Sequence, residues 1–228
     1  MRNLSKAKKM KKIYTLLAFA ASVLAASAQT NPTKNDPSAK TILDKVSAKF
    51  KTFKSPQASF TYQIENASGK VLSTKKGTVS MRGSKYHVSM SGLEIFSDGK
   101  NSWSYDKSAN EVTVNGVDGG GSNMTPQKLF TNFYDKDFFY KLNGEKKMGG
   151  KSVQEIEMTP TDKTRPFHKI YVYVDKDANS IYSAKFLEKS GNRYSYTINS
   201  LKPNASVSEA DFAFDKKRYP GVEVVDLR

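Results

Sequence analysis

The hydrophobic pattern changes period along the chain, and each change marks an element. Residues 13–26 form an apolar stretch that ends in Ala26-Ser27-Ala28. Residues 29–36 are polar, include Asn31 and Pro32, and read as a flexible leader. Ile42, Leu43, Val46, Phe50 and Phe53 then fall on one face at helical spacing, with Lys40, Asp44, Lys45, Lys49 and Lys51 on the other. The pattern predicts a helix capped by Ser38, running to about Lys54 and stopped by Ser55-Pro56. From Gln57 the period becomes two: Ala58, Phe60, Tyr62 and Ile64 alternate with Ser59, Thr61, Gln63 and Glu65. A turn over residues 66–70 leads to a second strand over 71–81. Further strands are predicted at 86–90, 94–97, 102–105, 111–114, 139–143, 153–159, 169–174, 181–187 and 194–201. About eleven short strands at hairpin spacing predict a mainly β fold with helices (α+β), one antiparallel sheet curled toward a barrel.

One stretch interrupts the alternation. Gly119-Gly120-Gly121 precedes Met124, and Thr125-Pro126 has the form of a helix start. Leu129, Phe130, Phe133 and Tyr134 follow at helical spacing. A short apolar helix after a glycine hinge, set into the middle of a sheet, could cover an apolar ligand site, since such sites favour the mouths of barrels.

The first 28 residues add a second theme. Arg2, Lys6, Lys8, Lys9, Lys11 and Lys12 precede the apolar stretch, and a small-x-small site follows it. This is the form of a secretory signal peptide, with cleavage expected after Ala28. The remaining residues, from 37 to 228, suit one domain. Cysteine is absent, so the chain has neither a disulfide nor a lipid-accepting thiol. The net charge of +15 falls to +9 once the six leading basic residues are removed. Basic residues are scattered and interleaved with acids, as in Asp135-Lys136-Asp137, so no nucleic-acid patch is expected. An anionic membrane surface or an acidic protein is the better counterpart for such a charge.

Catalytic chemistry finds little support. The two histidines, His87 and His168, stand alone in their segments, and a metal site needs more ligands. Asp175, Asp177 and Asn179 begin like a calcium loop, but Ser180 and Phe186 stand where glycine and glutamate are required, so the segment reads as a turn. The glycine triplet lacks the Lys-Ser/Thr of a phosphate loop. No cofactor is expected.

Several strings resemble a known family. Gly77-Thr78-Val79-Ser80-Met81-Arg82 and Ser97-Asp98-Gly99-Lys100-Asn101-Ser102-Trp103-Ser104-Tyr105 are similar to segments of the outer-membrane lipoprotein carrier proteins, the LolA family. The resemblance extends through Val172-Tyr173-Val174-Asp175 to Asp211-Phe212-Ala213-Phe214 and Pro220-Gly221-Val222. It implies a single open antiparallel β-barrel with a helical lid over an apolar cavity, working in the periplasm without covalent catalysis. Its partners would be acylated lipoproteins, an inner-membrane lipoprotein-releasing ABC transporter and an outer-membrane receptor. Arg82 matches the family's lid-latching arginine, although Gly83 stands where proline is common. Met124, Leu129, Phe130 and Phe133 would form the lid and cavity mouth. Parity and resemblance together nominate Phe60, Tyr62, Ile64 and Trp103 for the cavity wall. Two other jobs remain open on this fold: a sensor of lipids or mislocalised lipoproteins, or a glycolipid carrier. An envelope hydrolase is a third reading.

Overall fold

The computed structural model describes residues 35–117 and 134–228. The signal-like segment, the Gly119-Gly120-Gly121 hinge and the lid residues Met124, Leu129, Phe130 and Phe133 lie outside the described residues.

Helix α1 (Pro37–Lys51) opens the described chain. Its N-cap is Asp36, not Ser38: the Asp36 carboxylate accepts from the Ser38 backbone N–H, and Pro37 takes the first turn, where its missing N–H costs nothing. Thr52 is the C-cap. The expected leader also ends early. Asp36 N–H donates to the Tyr140 carbonyl at 3.1 Å. The Tyr140 and Leu142 N–H groups donate to the Asn35 and Asp36 side chains. These residues pair the edge of an outer strand that would otherwise be bare.

Twelve strands follow: β1 (Gln57–Glu65), β2 (Val71–Arg82), β3 (Lys85–Met90), β4 (Leu93–Ser97), β5 (Asn101–Asp106), β6 (Glu111–Gly116), β7 (Phe138–Met148), β8 (Lys151–Pro160), β9 (Phe167–Asp175), β10 (Ser180–Glu188), β11 (Arg193–Lys202) and β12 (Glu223–Asp226). A one-turn helix, α2 (Tyr134–Asp137), leads into β7. The strands make one sheet in the order β12-β6-β5-β4-β3-β2-β1-β11-β10-β9-β8-β7. Its two edges, β12 and β7, do not pair, so the barrel is open. All neighbours are antiparallel except β12, which adds to β6 in parallel. This twelfth strand is the one the alternation did not reveal. Four residues, Glu-Val-Val-Asp, carry too short a pattern to read, and their partner lies far back in the sequence.

Strand parity divides the sheet into two faces. On the first, Phe138, Tyr140, Ile156, Met158, Ile170, Val172 and Val174 form a core with Ala39, Leu43 and Val46 of α1. This helix face is thus covered over β7–β10. On the opposite face, the segment between β11 and β12, residues 203–222, crosses back over β3–β6 as a strap. Phe214 and Tyr219 pack with Tyr105, Trp103, Val112 and Val222. The Tyr105 and Tyr219 rings are 4.5 Å apart. Tyr219 donates to Glu94 at 2.7 Å, and Asn110 donates to the Pro220 carbonyl at 3.3 Å. At the strap's start, Ala205 N–H donates to the Ser55 carbonyl and Ser55 Oγ returns a bond to the Ala205 carbonyl.

Candidate functional site

Beyond β7–β10 the helix face stays largely apolar, and in part only half-buried, from β11 across β1 to β4, and turns polar on β5 and β6. Phe60 and Val79 are buried beside Ala58 and Met81, and around them lie partly buried Phe50 of α1, Tyr62, Val88, Met90, Tyr196 and Ile198. The register explains why these residues share a face. Phe60 pairs with Gly77 on one side and Ile198 on the other, Tyr62 with Tyr196, and Ile64 with Tyr194. Gly77 pairs in turn with Met90, and Met90 with Leu93. Alternation does the rest, because residues two apart point the same way.

Aromatic rings link the covered and uncovered parts. Phe138 stacks on Phe167, which meets Phe186 edge-on, which meets Tyr196 edge-on. Tyr196 lies 4.9 Å from Tyr62, and Tyr62 stacks on Tyr194 at 6.1 Å and 8°. Burial pushes the Tyr62 phenol well above its ordinary range, and the neighbouring Tyr196 and Tyr194 push the same way. Burial raises Tyr196 as well. Raised phenols keep Tyr62 and Tyr196 neutral.

Gly77 makes room for it. A Cβ there would stand 2.6 Å from Phe60 Cζ, 2.7 Å from the Ser89 carbonyl oxygen and 2.8 Å from Met90 Cγ. The Phe60 ring therefore lies across β2 and reaches β3 only because position 77 has no side chain.

Three of the four expected wall residues, Phe60, Tyr62 and Ile64, belong to this face. Trp103 does not. Met90 pairs with Leu93 and Leu93 with Asp106, so Trp103, three residues from Asp106, points to the opposite face. It packs there in the strap cluster with Phe214 and Tyr219. The Ser-Asp-Gly-Lys-Asn-Ser-Trp string serves the turn instead. Asp98 Oδ1 accepts from the Lys100 and Asn101 N–H groups, and Gly99 takes φ +90°.

Arg82 ends β2 on the strap side. Its guanidinium donates to Glu209 at 2.8 Å and to the Val207 carbonyl, and Lys85 joins the same carboxylate. The lid segment that the arginine was expected to hold lies outside the described residues. His87 also faces the strap. It stacks on Phe96 at 4.2 Å, and its Nε2 is 3.7 Å from Glu94, too far for a hydrogen bond. Burial lowers its pKa against the pull of Glu94. His168 is exposed. Among the described residues no cluster of three metal-ligating side chains occurs. The Asp175 carboxylate closes its own turn, accepting from the Asp177 and Ala178 N–H groups.

An open depression of about 1180 Å³ also exists, lined by residues of both parities on β1–β4. Ser59, Thr61, Lys76, Thr78, Ser89 and Asn199 alternate out of phase with Phe60, whereas Phe60 itself, Gly77, Met90 and Leu93, which also line it, belong to the apolar face. The lining thus sets hydroxyls and lysines beside apolar side chains. No helix among the described residues is long and apolar enough to cross a membrane.

The family profile described as "Outer membrane lipoprotein carrier protein LolA" matches residues 51–215. No curated protein matches the chain. Among solved structures, an uncharacterized conserved protein from Thermus thermophilus superposes with a TM-score of 0.56 at 16% identity, covering 83% of this chain and 99% of that one. A LolA superfamily protein from Nitrosomonas europaea gives 0.41 at 14% identity, covering 78% and 98%. The Mycobacterium tuberculosis lipoprotein LppX gives 0.48 at 12% identity, covering 76% and 100%.

Proposed function

Because the chain belongs to the outer membrane lipoprotein carrier protein (LolA) family, we propose that it carries acylated lipoproteins through the periplasm, from an inner-membrane ABC transporter to the outer membrane. The observation that supports this is the half-buried aromatic and aliphatic face from β11 across β1 to β4, which α1 reaches through Phe50 near its C-terminal end. Soluble proteins seldom leave such a surface without a use. Each acyl methylene withdrawn from water is worth about 0.8 kcal/mol. An acyl chain laid along the rings of Tyr62, Tyr194 and Tyr196 would be shielded without any covalent step.

On this reading the first 28 residues direct export and are removed after Ala28, and Met124, Leu129, Phe130 and Phe133 close over the acyl chains. A face that is mostly apolar, with Lys75 and Ser73 at its margin opposite Tyr62 and Ile64, holds chains mainly by area, which allows release. An outer-membrane receptor would complete the route. The test is mass spectrometry of lipid co-purified with the protein from an envelope extract, together with titration of a fluorescent fatty acid. Lipoprotein-derived acyl species and saturable probe binding support the reading. Glycolipid in place of lipoprotein would redirect it, and an empty protein that ignores the probe would end it.

A further inference from the structure

Four large hydrophobic side chains are conspicuously exposed among the described residues: Val71, Leu72, Val224 and Leu227. The first two are adjacent, at the tip of the β1–β2 hairpin, and are 48% and 58% exposed. The register shows how they come to be there. Ile64 pairs with Ser73 and Glu65 with Val71, so Leu72 is the extra residue of a bulge and turns outward.

The tip is braced. Asn66 N–H donates to the Lys70 carbonyl, and the Asn66 side chain accepts from Lys70 N–H and Ser68 Oγ. Gly69 takes φ +82°, which a side chain would resist. The neighbouring β10–β11 hairpin locks on: Arg193 donates to the Ala67 carbonyl at 2.9 Å. A Cβ at Gly191 would stand 3.1 Å from Ala67 Cβ, so the two tips touch. The apolar pair is therefore held out on a rigid support.

The surroundings are basic. Residues 63–76 and 185–193 contain Lys70, Lys75, Lys76, Lys185, Lys189 and Arg193 against Glu65 and Glu188. Glu65 is already neutralised by Lys185 at 2.8 Å. Lys70 and Lys76 have no carboxylate partner among the described residues.

We propose that the paired tips of the β1–β2 and β10–β11 hairpins dock on the surface of an anionic lipid bilayer, with Val71 and Leu72 entering the interface and the surrounding basic side chains meeting headgroup phosphates. Two apolar side chains with a basic rim are the elements of shallow, reversible interfacial binding. The site rests on the carrier reading, since a carrier has to meet a membrane to deliver. Ile64 and Tyr194 lie on the helix face next to the tip, so the apolar face opens toward the docked membrane.

The test is co-sedimentation with vesicles of phosphatidylethanolamine and phosphatidylglycerol (3:1), against pure phosphatidylcholine, at 0.15 M salt. The protein is produced from the full sequence, purified from the soluble envelope extract, and its N-terminus identified by mass spectrometry. Val71→Asp/Leu72→Asp should lower affinity for the anionic vesicles at least tenfold. Val224→Asp/Leu227→Asp makes the same charge change at the other exposed pair and should leave affinity within twofold. Val71→Thr/Leu72→Thr keeps strand propensity and adds no charge, and it should still lose several-fold. Equal losses at both sites would show undirected charge attraction and overturn the proposal. So would unchanged binding by the tip variants, or no vesicle binding by the parent, which would point to an acidic protein partner. Fluorescent fatty-acid binding is measured on every variant. Normal probe binding with a vesicle-indifferent tip removes the docking site and leaves the carrier; vesicle binding through the tip without probe binding does the reverse.

Discussion

Replacing Gly77 by alanine tests the packing of the apolar face at its tightest point. The new methyl would meet the Phe60 ring at 2.6 Å, the Ser89 carbonyl oxygen at 2.7 Å and Met90 Cγ at 2.8 Å. Met90 is flexible and can move. Ser89 is backbone of β3 and can yield only if the β2–β3 ladder spreads. Phe60 is 5% exposed and has little free space. Overpacking of this kind costs about 1–3 kcal/mol. Alanine recovers about 0.4–1 kcal/mol because it restricts the unfolded chain more than glycine does. The net expectation is destabilisation of about 1–2 kcal/mol, a fall of roughly 2–8 °C in Tm for a domain of this size. Fatty-acid probe affinity should fall with it, because the ring is the floor of the face. Phe60→Leu in the same chain removes the Cζ contact and should restore part of the loss, with a coupling of about 0.5 kcal/mol or more. Guanidinium titrations of the two single variants and the double variant measure this. A Gly77→Ala protein as stable as the parent, or strictly additive variants, would refute the reasoning.

Trp103 is the single tryptophan, and its ring packs in the strap cluster. Acyl-chain binding should therefore leave its fluorescence maximum unchanged while unfolding shifts it; a clear spectral shift on adding fatty acid would put Trp103 on the ligand face. Lys169→Met removes the 2.8 Å partner of the 5%-exposed Glu157 and leaves it Asn143 at 3.2 Å and Lys141 at 3.7 Å, and should cost about 1.5–3 kcal/mol in denaturant titration. Burial raises the Glu157 pKa, but hydrogen bonds from Lys169 and Asn143 outweigh it and leave the carboxyl below its ordinary 4.5. Its contribution should be complete above about pH 4.5 and fade as pH falls through the lower, folded value. Glu157→Gln should flatten that part of the stability–pH curve. Tyr134→Phe deletes a 2.8 Å bond to Asp44 that ties α2 to α1, and should lower stability by about 1 kcal/mol.

The strands were readable because most carry a complete alternation over five or more residues between turn residues that act locally. Asp98 and Asp175, for example, close their turns with their own carboxylates. Phe60, Tyr62 and Ile64 could be placed on one face from their own strand. Tyr194, Tyr196 and Ile198 carry the same alternation, but nothing local says that β11 lies beside β1, more than a hundred residues away. Trp103 fails for a related reason. Ser102 and Ser104 alternate with it, so local pattern favours the ring as the core side of β5. It is a core side, but of the strap and not of the ligand face. A sheet apolar on both faces gives each strand a correct parity and an ambiguous destination. Ser38 lost the cap to Asp36 because Pro37 fixes the chain direction one residue earlier.

The two-faced sheet also bears on how a carrier can be stable and yet accommodating. A ligand-binding surface lined by half-buried aromatic rings contributes little to its own rigidity, since its best contacts are reserved for the ligand. Here most of the stabilising burial lies elsewhere. Helix α1 secures β7–β10 with Ala39, Leu43 and Val46, and the strap secures β3–β6 with Phe214, Tyr219 and Val222. The strands between, β11, β1 and β2, are held by backbone ladders, by the small buried group Ala58, Phe60, Val79 and Met81, and by the tight contact at Gly77. Weakening either end should therefore cost global stability with little change in ligand affinity. Altering the half-buried rings of the middle should change affinity more than stability, unlike Gly77 and the buried Ala58, Phe60, Val79 and Met81. Trp103→Phe and Tyr62→Ala, each measured by melting and by probe titration, make the comparison. Tyr62→Ala should weaken probe binding severalfold with a modest fall in Tm, and Trp103→Phe should do the opposite. If both variants lose affinity and stability in the same proportion, the two faces act as one core and the division of labour argued here is wrong.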